Sequence, residues 1–300
     1  MYMAFETLDL PPLYCDFDNS SASAQRAYLR ILQADLAVLV LAAAVSAHST
    51  GSVTSQRVLY AIGAVLLAAG LLISVALSRN AYEKTWYLGR ASAETVKSLA
   101  WKYMMRAAPF EGEITSVAID QAFLKSLAAI LRERSELAFT RKTESSAGEP
   151  ITPKMRVVRT GDLANRLNFY LEYRVKDQVQ WYSSKSRHND NRQSQWFWAL
   201  IGIQFVALIG AVVQVVVPPL STNYAGALAA LATAVLAWLQ IKRYRELAQS
   251  YAVAAHELGL AAGLAMHIED EKAMSQFVND TESAISREHT MWIARREAGS

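Results

Sequence analysis

Apolar and polar positions are unevenly spread along this chain. Four long blocks, 31–47, 58–78, 196–217 and 224–241, contain one charged side chain between them, Asp35. A helix needs about 20 apolar residues, roughly 17–25, to cross a hydrocarbon core of about 30 Å. The second and third blocks meet that length, and the fourth is short but sufficient. In the first block Gln33 and Asp35 sit near the start. The carboxylate is therefore placed at headgroup level, where it costs little, and the helix continues to about residue 48. The pattern predicts four transmembrane helices, over about 31–48, 58–78, 196–217 and 224–241. Residues 49–56 and 218–223 are short and rich in Gly, Ser, Thr, Pro and Asn, which is turn chemistry, so the blocks pair as two hairpins.

Basic residues set the orientation. Arg26 and Arg30 precede the first block, and Arg79, Lys84 and Arg90 follow the second. Lys185, Arg187 and Arg192 precede the third, and Lys242, Arg243 and Arg245 follow the fourth. The hairpin loops carry only Arg57, at an edge. The positive-inside rule puts the N-terminus, the middle and the C-terminus in the cytoplasm. Tyr60, Trp196, Trp198, Tyr224 and Trp238 lie near block ends, as an interfacial belt requires.

Each hairpin is followed by a helical pattern. After the first, apolar or small residues recur at Tyr82, Trp86, Gly89, Ala93, Val96, Ala100, Tyr103 and Ala107. After the second they recur at Leu247, Tyr251, Ala254, Leu258, Ala261, Ala265 and Ile268. Alternating steps of four and three give the 3.5-residue period of a coiled-coil seam. Ile31 to Trp196 spans 165 residues and Val58 to Tyr224 spans 166, so the chain reads as two copies of one unit. Residues 1–19 are expected to form an irregular lead-in, with Pro11 and Pro12 ahead of a helix starting near Ser20. The first unit covers 20–139, a linker 140–160, and the second unit 161–300. Asp162 is placed to cap a helix. Val157–Val158 has the composition of a short strand, and helix breaks are expected near 259–263 or Asp280. The fold class is an all-α membrane protein, four transmembrane helices in two hairpins with a long-helix cytoplasmic bundle.

Composition sharpens this picture. Of the 300 residues, 52% are hydrophobic and 19% charged, against about 25% charged in a typical soluble chain. Disorder, a collagen-like fibre and a disulfide-stapled module are excluded, and Cys15 alone makes no internal disulfide. A net charge of +3 is too small to argue for nucleic acid. Residues 1–20, with Glu6, Asp9, Asp16 and Asp18, do not read as a signal peptide.

Little in the chain suggests catalysis. Phosphate-binding glycine loops, nucleophile elbows and paired-cysteine zinc spacings are absent. His256 and His267, with Glu257 and Glu269 nearby, read as the wet face of a helix before they read as metal ligands. No cofactor is expected. Asp35, Gln204 and Gln214 are the membrane-depth polar groups. They are candidates for a pore or water path, although simple solvation serves Asp35 better and hydrogen bonding between helices is the commoner use of such glutamines. Gly63, Gly70, Gly202 and Gly210 suit close helix packing. The densest polar pattern is Arg90, Glu94 and Lys97 at i, i+4 and i+7, beside Trp86, Tyr87, Trp101 and Tyr103. A second cluster joins Tyr170, Tyr173, Arg174, Asp177, Gln178, Trp181 and Tyr182. So many aromatics beside alternating charges point to polar networks between packed helices, or to an oligomer, more than to an active site.

The run Trp86-Tyr87-x-x-Arg90-x-x-x-Glu94-x-x-Lys97-x-x-x-Trp101, ending at Pro109-Phe110, resembles the SLATT family of two-helix membrane effector domains associated with SMODS nucleotidyltransferases and SLOG sensors. Tyr170-Leu171-x-x-Arg174-Val175-x-Asp177-Gln178-x-x-Trp181-Tyr182-x-x-Lys185 resembles another branch of that family, as does Arg287-Glu288-x-x-x-Trp292. The second exit helix departs from the first, because Glu257 has no Arg four residues before it. The resemblance implies a non-enzymatic bacterial inner-membrane effector that oligomerises through its cytoplasmic helices. It would form or gate a membrane-disrupting pore in a nucleotide-signalled antiviral or conflict system. Its implied partners are the lipid bilayer, further copies of itself and a nucleotide-sensing protein. The alternative is a membrane-anchored scaffold or sensor that recruits a soluble partner without conducting.

Overall fold

A computed structural model describes residues 6–50, 52–112, 117–134, 148–216 and 224–297. Among these residues every regular element is helical. The helices are α1 (Pro12–Ser46), α2 (Val53–Arg79), α3 (Tyr82–Met105), α4 (Val117–Glu133), α5 (Pro153–Thr160), α6 (Leu163–Tyr170), α7 (Asp177–Val216), α8 (Tyr224–Lys242), α9 (Tyr244–Leu264) and α10 (Glu271–Glu297). A π-wound stretch, Leu171–Lys176, joins α6 to α7.

Local chemistry accounts for the boundaries. Pro12 opens α1, earlier than the expected start near Ser20. Proline suits a first helical turn because its missing N–H would have no partner there. Asp162 caps α6, accepting from the Asn165 N–H at 2.7 Å. Thr152 caps α5 by accepting from Met155, so the last part of the 140–160 linker is helical and Val157–Val158 forms no strand. The break after α9 falls at 265–270, past Gly263, and Asp270 caps α10 through the Ala273 N–H at 2.7 Å. Glycine inside a helix costs only about 1 kcal/mol, so Gly259 and Gly263 do not end α9. Arg106 (φ 53°) follows the end of α3, and Arg243 (φ 49°) stands between α8 and α9.

Two compact units emerge, and each takes segments from both sequence copies. One contains Met1–Gln25, Glu83–Ser186 and Gln249–Ser300, and the other Arg26–Tyr82 and Arg187–Ala248. The second unit holds the apolar blocks, and four helices are long and apolar enough to cross a membrane. Val65, Leu71, Leu72, Phe205 and Val215 are exposed on them, as lipid-facing side chains must be. Gly63 brings α2 against α1, where a Cβ would lie 3.2 Å from Ser46 Oγ. Gly202 and Gly210 instead face open space, so the close packing expected of them is not made among the described residues. On α7 and α8, Leu200, Ala232 and Val235 pack together with Trp196, Ile203 and Leu239.

The first unit has one large core, built around Trp101, Tyr103, Met104, Phe110, Phe123, Met155, Phe169, Tyr170 and Met274. The α3 seam is buried within it from Gly89 to Ala107. Gly89 lets α1 approach, since a Cβ there would sit 3.1 Å from Ser21 Cβ and 3.3 Å from the Phe17 carbonyl. The α9 seam packs in a smaller cluster of Ala254, Ala255 and Leu258 with Tyr182 and Ile285. Both seams are thus used inside the chain.

Candidate functional site

The i, i+4, i+7 spacing on α3 lines up Arg90, Glu94 and Lys97 on one face. The Arg90 guanidinium pairs with Glu94 at 3.0 Å and with Asp18 of α1 at 3.3 Å. It also lies 5.8 Å from the Trp181 ring of α7, which Lys185 approaches at 5.7 Å. Burial alone would lower the Arg90 pKa, but Glu94 and Asp18 outweigh it and raise it. Glu94 is only 5% exposed. Trp181 packs edge-on against Tyr182 and Tyr251.

Arg174, in the π-wound stretch, forms the most deeply buried pair. Its Nε and Nη2 donate to the two oxygens of Glu282 on α10 at 2.9 and 2.8 Å, and the Tyr170 hydroxyl donates to the same carboxylate at 2.9 Å. Arg174 also reaches Gln178 at 3.5 Å. Both charged side chains are 1% exposed or less. Such a pair survives burial because the contact is bidentate and further hydrogen bonds satisfy the carboxylate. Burial opposes the Arg174 charge, yet pairing with Glu282 raises its pKa. For Tyr170, burial and then Glu282 push the hydroxyl well above its usual range.

Three further arginines converge on the C-terminal end of α3, whose last carbonyls have no helical partner. Arg159 donates to the Tyr103 and Phe110 carbonyls at 2.5 and 3.1 Å, and Arg166 to that of Met105 at 2.8 Å. Arg106 donates to the Arg159 carbonyl at 3.0 and 2.8 Å, and Glu271 pairs with Arg166. Cations at this end of a helix also meet its negative dipole.

The remaining candidates are more scattered. Trp101 is 1% exposed between Phe169 and Tyr170, and Trp86 is half-buried, stacked on Tyr87 at 4.6 Å. Lys97 is half-buried and has the Tyr14 ring 5.9 Å away, and Asp177 is exposed in the first turn of α7. Glu257 is exposed on α9, apart from the α3 network. In the other unit Asp35 of α1 accepts from Ser74 of α2 at 3.3 and 3.4 Å. Gln204 is exposed and Gln214 half-buried. Among the described residues no three His, Cys, Asp or Glu side chains cluster to hold a metal. The side chains of Arg287, Glu288 and Trp292 lie outside the described residues.

Sequence reasoning did not find Glu282, Arg106, Arg159 or Arg166. The partners named above lie 49–112 residues away, and no local spacing marks them. The arrangement interlocks helices: acids meet guanidiniums, and aromatics seal the contacts.

Two family models match in tandem. The SMODS and SLOG-associating 2TM effector domain 3 covers residues 11–167, and the SMODS and SLOG-associating 2TM effector domain 1 covers residues 170–292. The chain belongs to the SLATT family. No curated protein and no solved structure matches it. The first SLATT match runs through 140–160, and the junction at 168–169 falls inside α6. The Arg90–Glu94–Trp101 face belongs to the first SLATT domain and the Arg174–Glu282 pair to the second. With four spans and two SLATT domains, the chain is a multi-pass membrane protein.

Proposed function

We propose that this SLATT chain is a non-enzymatic effector of the bacterial inner membrane, with both termini cytoplasmic. Its helical unit assembles into a homo-oligomer, and its spans then form or gate a membrane-disrupting pore. A nucleotide-signalled antiviral or conflict system, acting through a sensing partner, supplies the trigger. The observation that carries this reading is the tandem match to two effector-domain models, each laid over one apolar hairpin. Pairing of Arg90 with Asp18 and of Arg174 with Glu282 between helices also suits a structural role better than a catalytic one. Asp35, Gln204 and Gln214 are the polar side chains proposed along the conduction path.

The test is bacterial membrane potential and growth, followed with a depolarisation dye while the full chain is expressed alone and with its neighbouring genes. Depolarisation and arrest in either setting, with oligomers in detergent by light scattering, support the proposal. Unchanged potential in both settings, with a soluble partner co-purifying, would establish the anchored scaffold instead.

A further inference from the structure

Helix α9 carries a second seam besides the one buried inside the chain. It runs Gln249, Val253, His256, Leu260 and Gly263, again in alternating steps of four and three, the period of a helix that packs against another helix. All five positions are exposed, Leu260 to 75%, and Leu264 beside the seam is exposed as well. Gly259 and Gly263, one turn apart, would meet nothing within 4 Å if each carried a Cβ. Small residues at that spacing let two helix backbones approach closely. In the first copy a glycine of this kind is already used, because Gly89 admits α1 to within 3.1 Å of where its Cβ would stand. On α9 the same device faces open space.

The chemistry of this face selects its occupant. Past Arg245 no lysine or arginine follows on α9, so the face has no cation with which to hold anionic headgroups. The seam itself carries no carboxylate or ammonium to recognise a charged peptide, and Glu257 stands on its flank. A face of this kind meets its own copy without setting like charges against each other. Copies anchored in one bilayer are related by rotation about its normal, and a two-fold rotation brings a patch against itself. We infer that the Val253–His256–Leu260–Gly263 face of α9 docks on the same face of a second copy of this chain. The inference rests on the homo-oligomer proposed above and names the contact that builds it.

The experiment uses the full chain in membranes, with Cys15 replaced by serine and one cysteine introduced as His256→Cys, Leu260→Cys or Val157→Cys. Val157 is 54% exposed on α5 and serves as the control. A disulfide needs Cα atoms about 4.4–6.8 Å apart, so oxidation should link copies through positions 256 and 260 and not through 157. Light scattering in detergent gives the assembly mass in parallel. An oligomer that links no better at 256 and 260 than at 157 would overturn the inference and leave the homo-oligomer standing. A monomer throughout would overturn both. Linkage of Leu260→Cys to a different protein, with none between copies, would assign the face to a soluble partner instead. Leu260→Lys, in the unmodified chain, should weaken self-association about tenfold or more, because the contact would bury an unpaired charge from each copy. The face is free in the single chain, so the dissociated Leu260→Lys protein should melt where the parent does. Undiminished self-association in Leu260→Lys would also overturn the inference.

Discussion

Helices α3 and α9 leave the two hairpins with the same alternating seam, yet they end in different surroundings. On α3 the seam is sunk in the main core, and a second face carries Arg90 and Glu94 into contact with α1 and α7. On α9 Ala254, Ala255 and Leu258 pack with Tyr182 and Ile285 and Ala262 touches the main core, while Val253, Leu260 and Leu264 are 57%, 75% and 68% exposed. Where Arg90 stands four residues before Glu94, Val253 stands four before Glu257. Tandem copying repeats a helix without repeating its neighbours. Neighbours decide the energetics, because an ion ladder on a bare surface is worth only a few tenths of a kcal/mol per pair.

The largest effect is expected where a charge is fully enclosed, as in the pair of Arg174 and Glu282, and Arg174→Ala tests this against exposed α9. It strands the buried Glu282 carboxylate, and breaking a buried pair from one side costs about 3–5 kcal/mol. Glu257→Ala on exposed α9 should stay within about 0.5 kcal/mol of the parent. Chemical unfolding of the purified chain, read by circular dichroism, separates the two outcomes, and equal losses would abolish the distinction between the buried pair and the exposed side of α9. A smaller effect tests α9 against itself. Leu258 is 2% exposed and Leu260 75%. Leu258→Ala should lose about 2–4 kcal/mol through its cavity, and Leu260→Ala no more than about 0.5 kcal/mol. A matching loss at Leu260 would mean that its side of α9 is covered in the assembled protein.

How much the sequence disclosed follows from the range of each constraint. The spans were legible because a bilayer imposes its demand on every residue of a contiguous block. The Arg90–Glu94 pair was legible because both partners lie on one helix, and Asp162 because a cap acts within three residues. Glu282 was not, since its bond to Arg174 joins residues 108 apart. The arginines at the end of α3 were equally hidden: their acceptors are backbone carbonyls, which carry no side-chain signature. Pro11–Pro12 was read as irregular although proline is at home in a first helical turn. Val157–Val158 suggested a strand, but Met155, Val158 and Arg159 are buried on the spacing of a helix.

The smallest effect concerns the first copy alone and appears in alkali. The Tyr103 hydroxyl donates to Asp120 at 2.6 Å, and Arg156 holds the other carboxylate oxygen at 2.6 Å. Burial and then the Asp120 hydrogen bond push the Tyr103 pKa up to about 12, and burial with Asp18 and Glu94 does the same for Tyr14. An unfolded tyrosine titrates near 10. The folded state therefore holds these protons more tightly. The stability they contribute is complete below about pH 10 and is lost as pH rises towards 12. Lys97 titrates with the opposite sign: its lowered pKa disfavours the fold while the lysine is charged, and that burden lifts as pH rises. Tyr103→Phe should cost about 1 kcal/mol at pH 8, the worth of one hydrogen bond, and should flatten the fall in stability between pH 10 and 12. A fall of undiminished slope in Tyr103→Phe would place the alkaline sensitivity elsewhere. It would then no longer distinguish the core around α3 from the exposed side of α9.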